Sequence, residues 1–470
     1  MLIRYEHLHR TLAELERRTL AGFFAGGAGG AGGDSPCVGL VNTLPYRRRS
    51  LVEVAGMEPV AIELDGFSAR TIALTPATRA PAGPARAPAP ARGATAIESE
   101  EFRVEAAGDG TLTVLDKRSG RRFEQLHRLE DELDMGDLYN FCPVEGAPVW
   151  RSEHATARVL RDDPPVRELE VEVRTDRPAG LDEHLAPQTE RVPLTATTIV
   201  RLIDGIGRIE FRTTIENATR DHRLRALFPV GTGLDTDTVR AEGQFALVHR
   251  PLSPPVPRTQ WVEPPDATQH TLGVVALGPL ALLTKGLPEY EARPIDGEPT
   301  RPELCLTLLR AVGLISRPTG AIATRPLGAG PQTATPEGQC LGRHELEYAL
   351  VPDADTLDAV ALLRVSQDYR FGFAAAAAGV HFDSPLSLGG DVVFCALKGA
   401  EDGDGLILRC FNPVASTVIA RVVGDVQSSR TRVDETGEQP VDDGAFTLGP
   451  FEVATVRLRA ARAQSGLKQP

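Results

Sequence analysis

From Ser99 onward, apolar and polar residues alternate with period two. Phe102, Val104 and Ala106 share one face, Gly108-Asp109-Gly110 supplies a turn, and Leu112 and Val114 return the chain, a pattern that predicts a β-hairpin. Strand-like runs bounded by turn residues recur at 157–160, 168–173, 198–204, 209–215, 223–228, 273–277, 280–285, 346–350, 392–397, 406–410, 417–423 and 452–458. Many short strands without interleaved helices predict packed antiparallel sheets. Residues 2–20 read differently. Tyr5, Leu8, Leu12 and Leu15 recur there at three- and four-residue spacing, with Glu and Arg on the other face. That predicts an amphipathic helix whose apolar stripe needs a partner.

The expected fold is therefore mainly β: one N-terminal helix, a large antiparallel β-supersandwich and smaller β-sandwich units. Glycine repeats at 26–33 and a Pro/Ala-rich stretch at 76–92 mark linkers. These breaks predict a helix at 1–24, a linker at 25–36, a small β unit at 37–75, a second linker at 76–98, the large sandwich at 99–385, a C-terminal sandwich at 386–460 and a tail at 461–470. A length of 470 residues is ample for several buried cores.

Charge narrows the function classes. Asp and Glu number 64 against 51 Lys and Arg, a net charge of −13, which argues against nucleic acid, because phosphate contacts need a basic surface. A neutral sugar is compatible with it. The six cysteines are scattered without a CxxC pair, as expected of reduced thiols in a cytoplasmic protein. The charged N-terminus lacks the apolar stretch of a signal peptide, and no run of about 18 apolar residues predicts a membrane span.

The most distinctive segment is 129–143, LEDELDMGDLYNFCP. Glu130, Asp131, Glu132, Asp134 and Asp137 repel one another in low dielectric, so the segment is expected to stay in water unless a cation or basic partner neutralises it. An acidic loop carrying one tyrosine reads as the rim of a polar-ligand site. Asp221-His222-Arg223-Leu224-Arg225 alternates as a strand, and its charges are expected to form ion pairs. Arg310, within an apolar run, needs an acidic partner.

The acidic segment, together with NATRDHRLRALFPVG (217–231), ALLTKGLPEYEA (281–292), LCLTLLRAVGLISR (304–317) and GQCLGRHELEYAL (338–350), resembles in sequence and order the C-terminal half of the family 38 glycoside hydrolases. These are the retaining α-mannosidases and mannosylglycerate hydrolases. VNTLP (41–45) and ALKGAED (396–402) extend the resemblance over nearly the whole chain. The resemblance implies that zinc and both catalytic carboxylates belong to an N-terminal α/β barrel, which nothing here resembles. No cofactor is then expected in this chain, and zinc is expected in the barrel. It also implies a substrate-binding role for Tyr139, in a Gly-Asp-x-Tyr turn whose tyrosine reaches the sugar, with Asp137 of the same turn and Arg310 as weaker candidates.

Retaining glycosidases hold two carboxyls about 5 to 5.5 Å apart. The acidic segment supplies such a pair by count, but one loop seldom holds it rigidly. His381-Phe382-Asp383 matches a metal-binding His-x-Asp only in letters and reads as a loop histidine and a turn-initiating aspartate. Three readings stay open: the pocket-rim portion of an α-mannosidase-like enzyme that is inactive without its barrel, a free-standing carbohydrate-binding protein, and a complete hydrolase using the acidic loop. The stripe of residues 2–20 is expected to dock on a barrel-bearing partner or to self-associate.

Overall fold

The computed structural model describes residues 7–15, 18–19, 36–77, 95–231, 237–252, 261, 263, 265–325, 327–376 and 381–460. The chain is mainly β, with antiparallel sheets throughout. Two compact units are present, one comprising Met1–Ala85, Phe245–Leu247 and Ala359–Pro470, the other Arg86–Gln244 and Val248–Asp358.

The second unit is the large sandwich. Its nine-stranded sheet runs in the order Ala155–Asp163, Val166–Pro178, Arg191–Ile203, Ile209–Asn217, Gly342–Val351, Leu280–Lys285, Val274–Leu277, Thr238–Gly243, Ala246–Pro251. A six-stranded sheet runs Trp150–Arg151, Arg128–Leu133, His222–Pro229, Glu298–Ala311, Glu289–Ile295, Thr268–His270. A four-stranded sheet holds the hairpin, with Ala106 opposite Leu112 and Phe102 opposite Asp116. Because side chains alternate across a strand, one face of each sheet is apolar, and these faces share a core that includes Phe102, Val104, Leu169, Phe211, Leu224, Phe228, Leu304 and Leu350. A full truncation such as Phe228→Ala in a core of this kind costs about 3–5 kcal/mol.

One polar string crosses that core. His127 Nε2 lies 2.7 Å from the Tyr348 hydroxyl, which lies 2.7 Å from Thr213 Oγ1, itself 2.9 Å from Thr198 Oγ1. The His127 ring stacks on Phe211 at 5.2 Å. Burial lowers its pKa to about 4, since the imidazolium has no water to solvate it.

The first unit contains the terminal sandwich, whose three-stranded sheet (Ser387–Gly390, Val418–Val423, Ala445–Leu448) and five-stranded sheet bury Leu388, Phe394, Leu408, Val422, Leu448 and Val456. Strands Cys37–Val41 and Ala69–Ala73 pair with Ala374–Ala376 and His381–Phe382 in a separate sheet. Asn42, fully buried, ties the turn after the first of these. Its amide donates to the carbonyls of Tyr46 and Asp65, and its Oδ1 accepts from Leu44 N and Arg48 Nε. Residues Ala359–Arg370 form an α-helix that the strand pattern does not predict, burying Val360, Leu362, Leu363, Ser366 and Tyr369. Ala359–Pro470 thus falls in one compact unit with the small β unit. Strand pairing to Cys37–Val41 and Ala69–Ala73 is the cause, and it is invisible to a local pattern.

Residues 7–15 and 18–19 are helical. Leu8, Leu12 and Leu15 are each about half exposed, while Tyr5 and both proposed linkers fall wholly or largely outside the described residues. No described helix is long and apolar enough to cross a membrane.

Candidate functional site

The acidic segment is not a solvated loop. Arg128–Leu133 is a strand inside the six-stranded sheet, paired with His222–Pro229 on one side and Trp150–Arg151 on the other. Register places Glu130 beside Arg225 and Glu132 beside Arg223. The alternation of Asp221–Arg225 therefore puts Leu224 into the core and both arginines on the opposite face, against the carboxylates.

On that face, Arg225 bridges Glu130 (2.5 Å), Glu132 (3.2 Å) and Glu291. Arg293 reaches Glu130 and Glu303, each at 2.9 Å, and Arg151 reaches Glu130 at 2.9 Å. Arg223 pairs with Glu132 at 2.9 Å, and its guanidinium carbon lies 3.4 Å from the centroid of the Phe141 ring. Burial pushes the Glu130 carboxyl up, but Arg225, Arg293 and Arg151 together more than offset that and hold it below the usual range. For Glu303 burial wins, and its pKa is raised. Around the edge, Asp131 accepts from Arg177 Nε at 2.7 Å and His222 Nδ1 at 2.6 Å, with all three side chains buried. The repulsion expected of these carboxylates is cancelled by arginines far away in sequence.

The same device builds the turn that follows. Asp134 accepts from Gly136 N, Cys142 N and Arg310 Nε at 2.8, 3.0 and 2.8 Å. Desolvation still leaves its pKa raised. A Cβ on Gly136 would collide with the Asn140 carbonyl and lie 2.7 Å from Asp134 Oδ1, so only glycine lets the turn close. Asp137 is wholly buried. Its Oδ1 accepts from Tyr139 N (3.0 Å) and Asn140 N (3.2 Å), and its Oδ2 accepts from Arg317 N (2.6 Å) and Arg325 Nη2. Burial raises the Asp137 pKa, but these donors outweigh it and hold the carboxyl below its ordinary value. Arg310 Nη2 donates to the carbonyls of Asp137 and Asn140 at 2.6 and 2.7 Å.

Of the three residues expected to bind substrate, Tyr139 alone has an open side chain, 56% exposed, beside exposed Leu138. Asp137 and Arg310 use their hydrogen bonds inside the turn and position its backbone. Each carboxylate of the acidic segment has a guanidinium partner, so the segment presents no unpaired couple for acid/base work. Sequence reasoning did not single out Asn140, Arg317, Arg325 or Gly330. Arg317, Arg325 and Gly330 lie in a stretch without periodic pattern, where an arginine without a local partner is the one signal.

His381 Nε2 lies 3.1 Å from Asp383 Oδ2 on an exposed edge strand, with Arg70 3.5 Å from the same carboxylate. Among the described residues, no group of three or more His, Cys, Asp or Glu is arranged to hold a metal ion. In unit one, Phe67, Phe371, Phe382, Phe394, Leu397 and Leu458 line a cavity of about 920 Å³.

Residues 97–276 match the model of the glycosyl hydrolases family 38 C-terminal domain. This region of the chain is similar to that domain. The match begins at the four-stranded sheet and includes the acidic strand, the Gly-Asp-x-Tyr turn and His222–Pro229. A protein of Halalkalibacterium halodurans, provisionally named a mannosylglycerate hydrolase, is 28% identical over 398 residues, 77% of this chain and 41% of that protein. An α-mannosidase structure from Enterococcus faecalis superposes with a TM-score of 0.68 at 22% identity, over 94% of this chain and 52% of that one. A second structure from that organism, described as a glycosyl hydrolase family 38 protein, gives 0.67 at 22% identity, over 94% and 54%. The chain thus spans about half the length of the relatives it matches. The structural likeness is one of fold and covers 94% of this chain.

Proposed function

We propose that this chain is the C-terminal β-sandwich portion of an α-mannosidase-like retaining glycoside hydrolase, and that its Tyr139 turn completes the rim of the sugar pocket. The catalytic carboxylates and zinc of that chemistry come from a barrel outside these 470 residues, in a partner or in further sequence. One observation carries the reading: an exposed phenol stands on a turn whose every charge is neutralised from below. A phenol suits a sugar, because its hydroxyl both donates and accepts while its ring stacks on an apolar sugar face. Asp137 and Arg310 support this contact by fixing the backbone that presents it.

The half-exposed stripe Leu8, Leu12 and Leu15 is the proposed docking face for the barrel-bearing partner, or in its absence for a second copy. A reducing, cytoplasmic setting is part of this proposal, in keeping with cysteines scattered along the sequence without a CxxC pair. The ligand is a mannoside or mannosyl conjugate.

The test is complementation. The purified chain with added zinc should not hydrolyse aryl α-mannosides, and a family 38 barrel supplied as a separate polypeptide should restore turnover. Turnover by the chain alone, abolished by Glu130→Ala or Asp134→Ala, would instead establish a complete hydrolase. Mannose binding that no barrel converts to turnover would establish a carbohydrate-binding protein.

A further inference from the structure

The Tyr139 turn is held by a second segment that has no strand partner of its own. Residues 314–334 leave the end of the Glu298–Ala311 strand and return, closed on themselves by the Leu314–Ala334 bridge and by Ile315 N donating to the Thr333 carbonyl at 3.0 Å. This excursion grips the turn at several points. Leu138 N donates to the Leu314 carbonyl at 3.1 Å, Thr324 Oγ1 to the Phe141 carbonyl at 3.0 Å, and Arg317 N to Asp137 Oδ2 at 2.6 Å.

Two of its residues meet Tyr139 itself. Arg325 is a large, fully buried side chain; its Nε donates to Asn140 Oδ1 at 2.8 Å, its Nη2 to Asp137, and its guanidinium carbon lies 5.4 Å from the Tyr139 ring centroid. Gly330 borders the phenol from the other direction in sequence: a Cβ there would lie 3.0 Å from the Tyr139 hydroxyl, 3.5 Å from Cε2 and 3.6 Å from Cζ. Gly330 does not have a left-handed φ, so its backbone does not demand glycine. What the missing side chain provides is room for the hydroxyl.

We propose that Gly330 and Arg325 are positioning residues for Tyr139, with Arg325 fixing the ring's base through Asp137 and Asn140 and Gly330 fixing where the hydroxyl sits. The inference rests on the reading of Tyr139 as the sugar contact, but it has a readout of its own. A methyl at 330 moves the phenol by a few tenths of an ångström and leaves the fold intact, because no backbone rule is broken. Arg325→Lys keeps the charge but loses the fork that spans Asp137 and Asn140.

The experiment uses the chain labelled at its six tyrosine rings, the Tyr139 signal being assigned by its loss in Tyr139→Phe. Gly330→Ala should displace that signal alone and leave the melting temperature unchanged. Arg325→Lys should broaden or displace it as well. An unmoved Tyr139 signal in Gly330→Ala overturns the inference, whatever the protein does with sugars. In the barrel-complemented enzyme, Gly330→Ala should lower kcat about tenfold with little change in KM, since misplacement by fractions of an ångström acts on the transition state. The same substitution on the Tyr139→Phe background should do nothing further. Full additivity of the two changes overturns the inference while leaving Tyr139 as the sugar contact; a Tyr139→Phe enzyme with unchanged kinetics instead overturns the reading beneath it.

Discussion

Arg225→Met removes the hub of the buried charge lattice while keeping much of its volume. Arg225 is fully buried and bridges Glu130, Glu132 and Glu291. Removing one partner of a buried ion pair costs about 3–5 kcal/mol, because the remaining charge is left unpaired. Here none is left wholly unpaired. Glu130 keeps Arg293 and Arg151, Glu132 keeps Arg223, and Glu291 keeps Arg223 at 3.8 Å. The loss should therefore sit at the low end, about 3 kcal/mol. The two tryptophans, Trp150 and Trp261, both belong to the large-sandwich unit, and Trp150 is paired in register with Asp131 beside the lattice, so urea unfolding followed by tryptophan fluorescence reads this unit directly. With a slope of about 3 kcal/mol per molar urea the midpoint should fall by about 1 M at pH 7. Glu130 has a depressed pKa in the folded protein, so its share of stability is present above the unfolded carboxyl pKa and lost as pH falls through the folded one. The gap between wild type and variant should accordingly narrow as pH drops from 7 towards 3. A midpoint shift below about 0.3 M, or a gap that widens in acid, would refute the account of a charge lattice stabilising this sheet.

Three further outcomes follow from the same geometry. His127 has a pKa of about 4 when folded against about 6.5 when unfolded, so stability should be flat above pH 6.5 and fall by about 3 kcal/mol as pH drops to 4, a slope that His127→Asn should lose in denaturant titrations at stepped pH. Gly136→Ala should destabilise the turn by about 1–3 kcal/mol, read as a lower melting temperature, because its methyl meets the Asn140 carbonyl. Arg310→Met should cost about 3 kcal/mol, since Asp134 is buried and Arg310 is its guanidinium partner; recovery of most of that loss in Arg310→Met/Asp134→Asn, by double-mutant cycle, would assign it to that pair.

Local pattern made some of this legible and left other parts dark for definite reasons. The Gly108–Gly110 hairpin and the alternation through 223–228 were readable because strand period and turn chemistry are local. The arginines of Asp221–Arg225 and Arg310 could be expected to need acidic partners, and they have them. The burial of Glu130–Asp137 is not legible in the segment itself, since its carboxylates repel one another locally whereas the neutralising groups, Arg151, Arg177, Arg225, Arg293, Arg310 and Arg325, lie 21 to 188 residues away. The helix Ala359–Arg370 escaped because its mixed, arginine-bearing sequence offers only a single buried face. Tyr139 came from a motif, but the reason it can stand exposed on a buried turn is entirely tertiary. Neither Arg325 nor Gly330 has a neighbour in sequence that reveals its role.

The central claim is that Tyr139 acts on the sugar and not in folding. The most direct measurement is kcat/KM of Tyr139→Phe in the barrel-complemented enzyme, alongside its melting temperature. Losing one hydrogen bond to the transition state should lower kcat/KM by about 1–3 kcal/mol, roughly 5- to 150-fold, while the melting temperature moves by no more than about 1 °C, as expected of a hydroxyl on an exposed side chain. Unchanged kcat/KM together with a marked loss of stability would show a tyrosine that anchors its own turn, and would contradict the account.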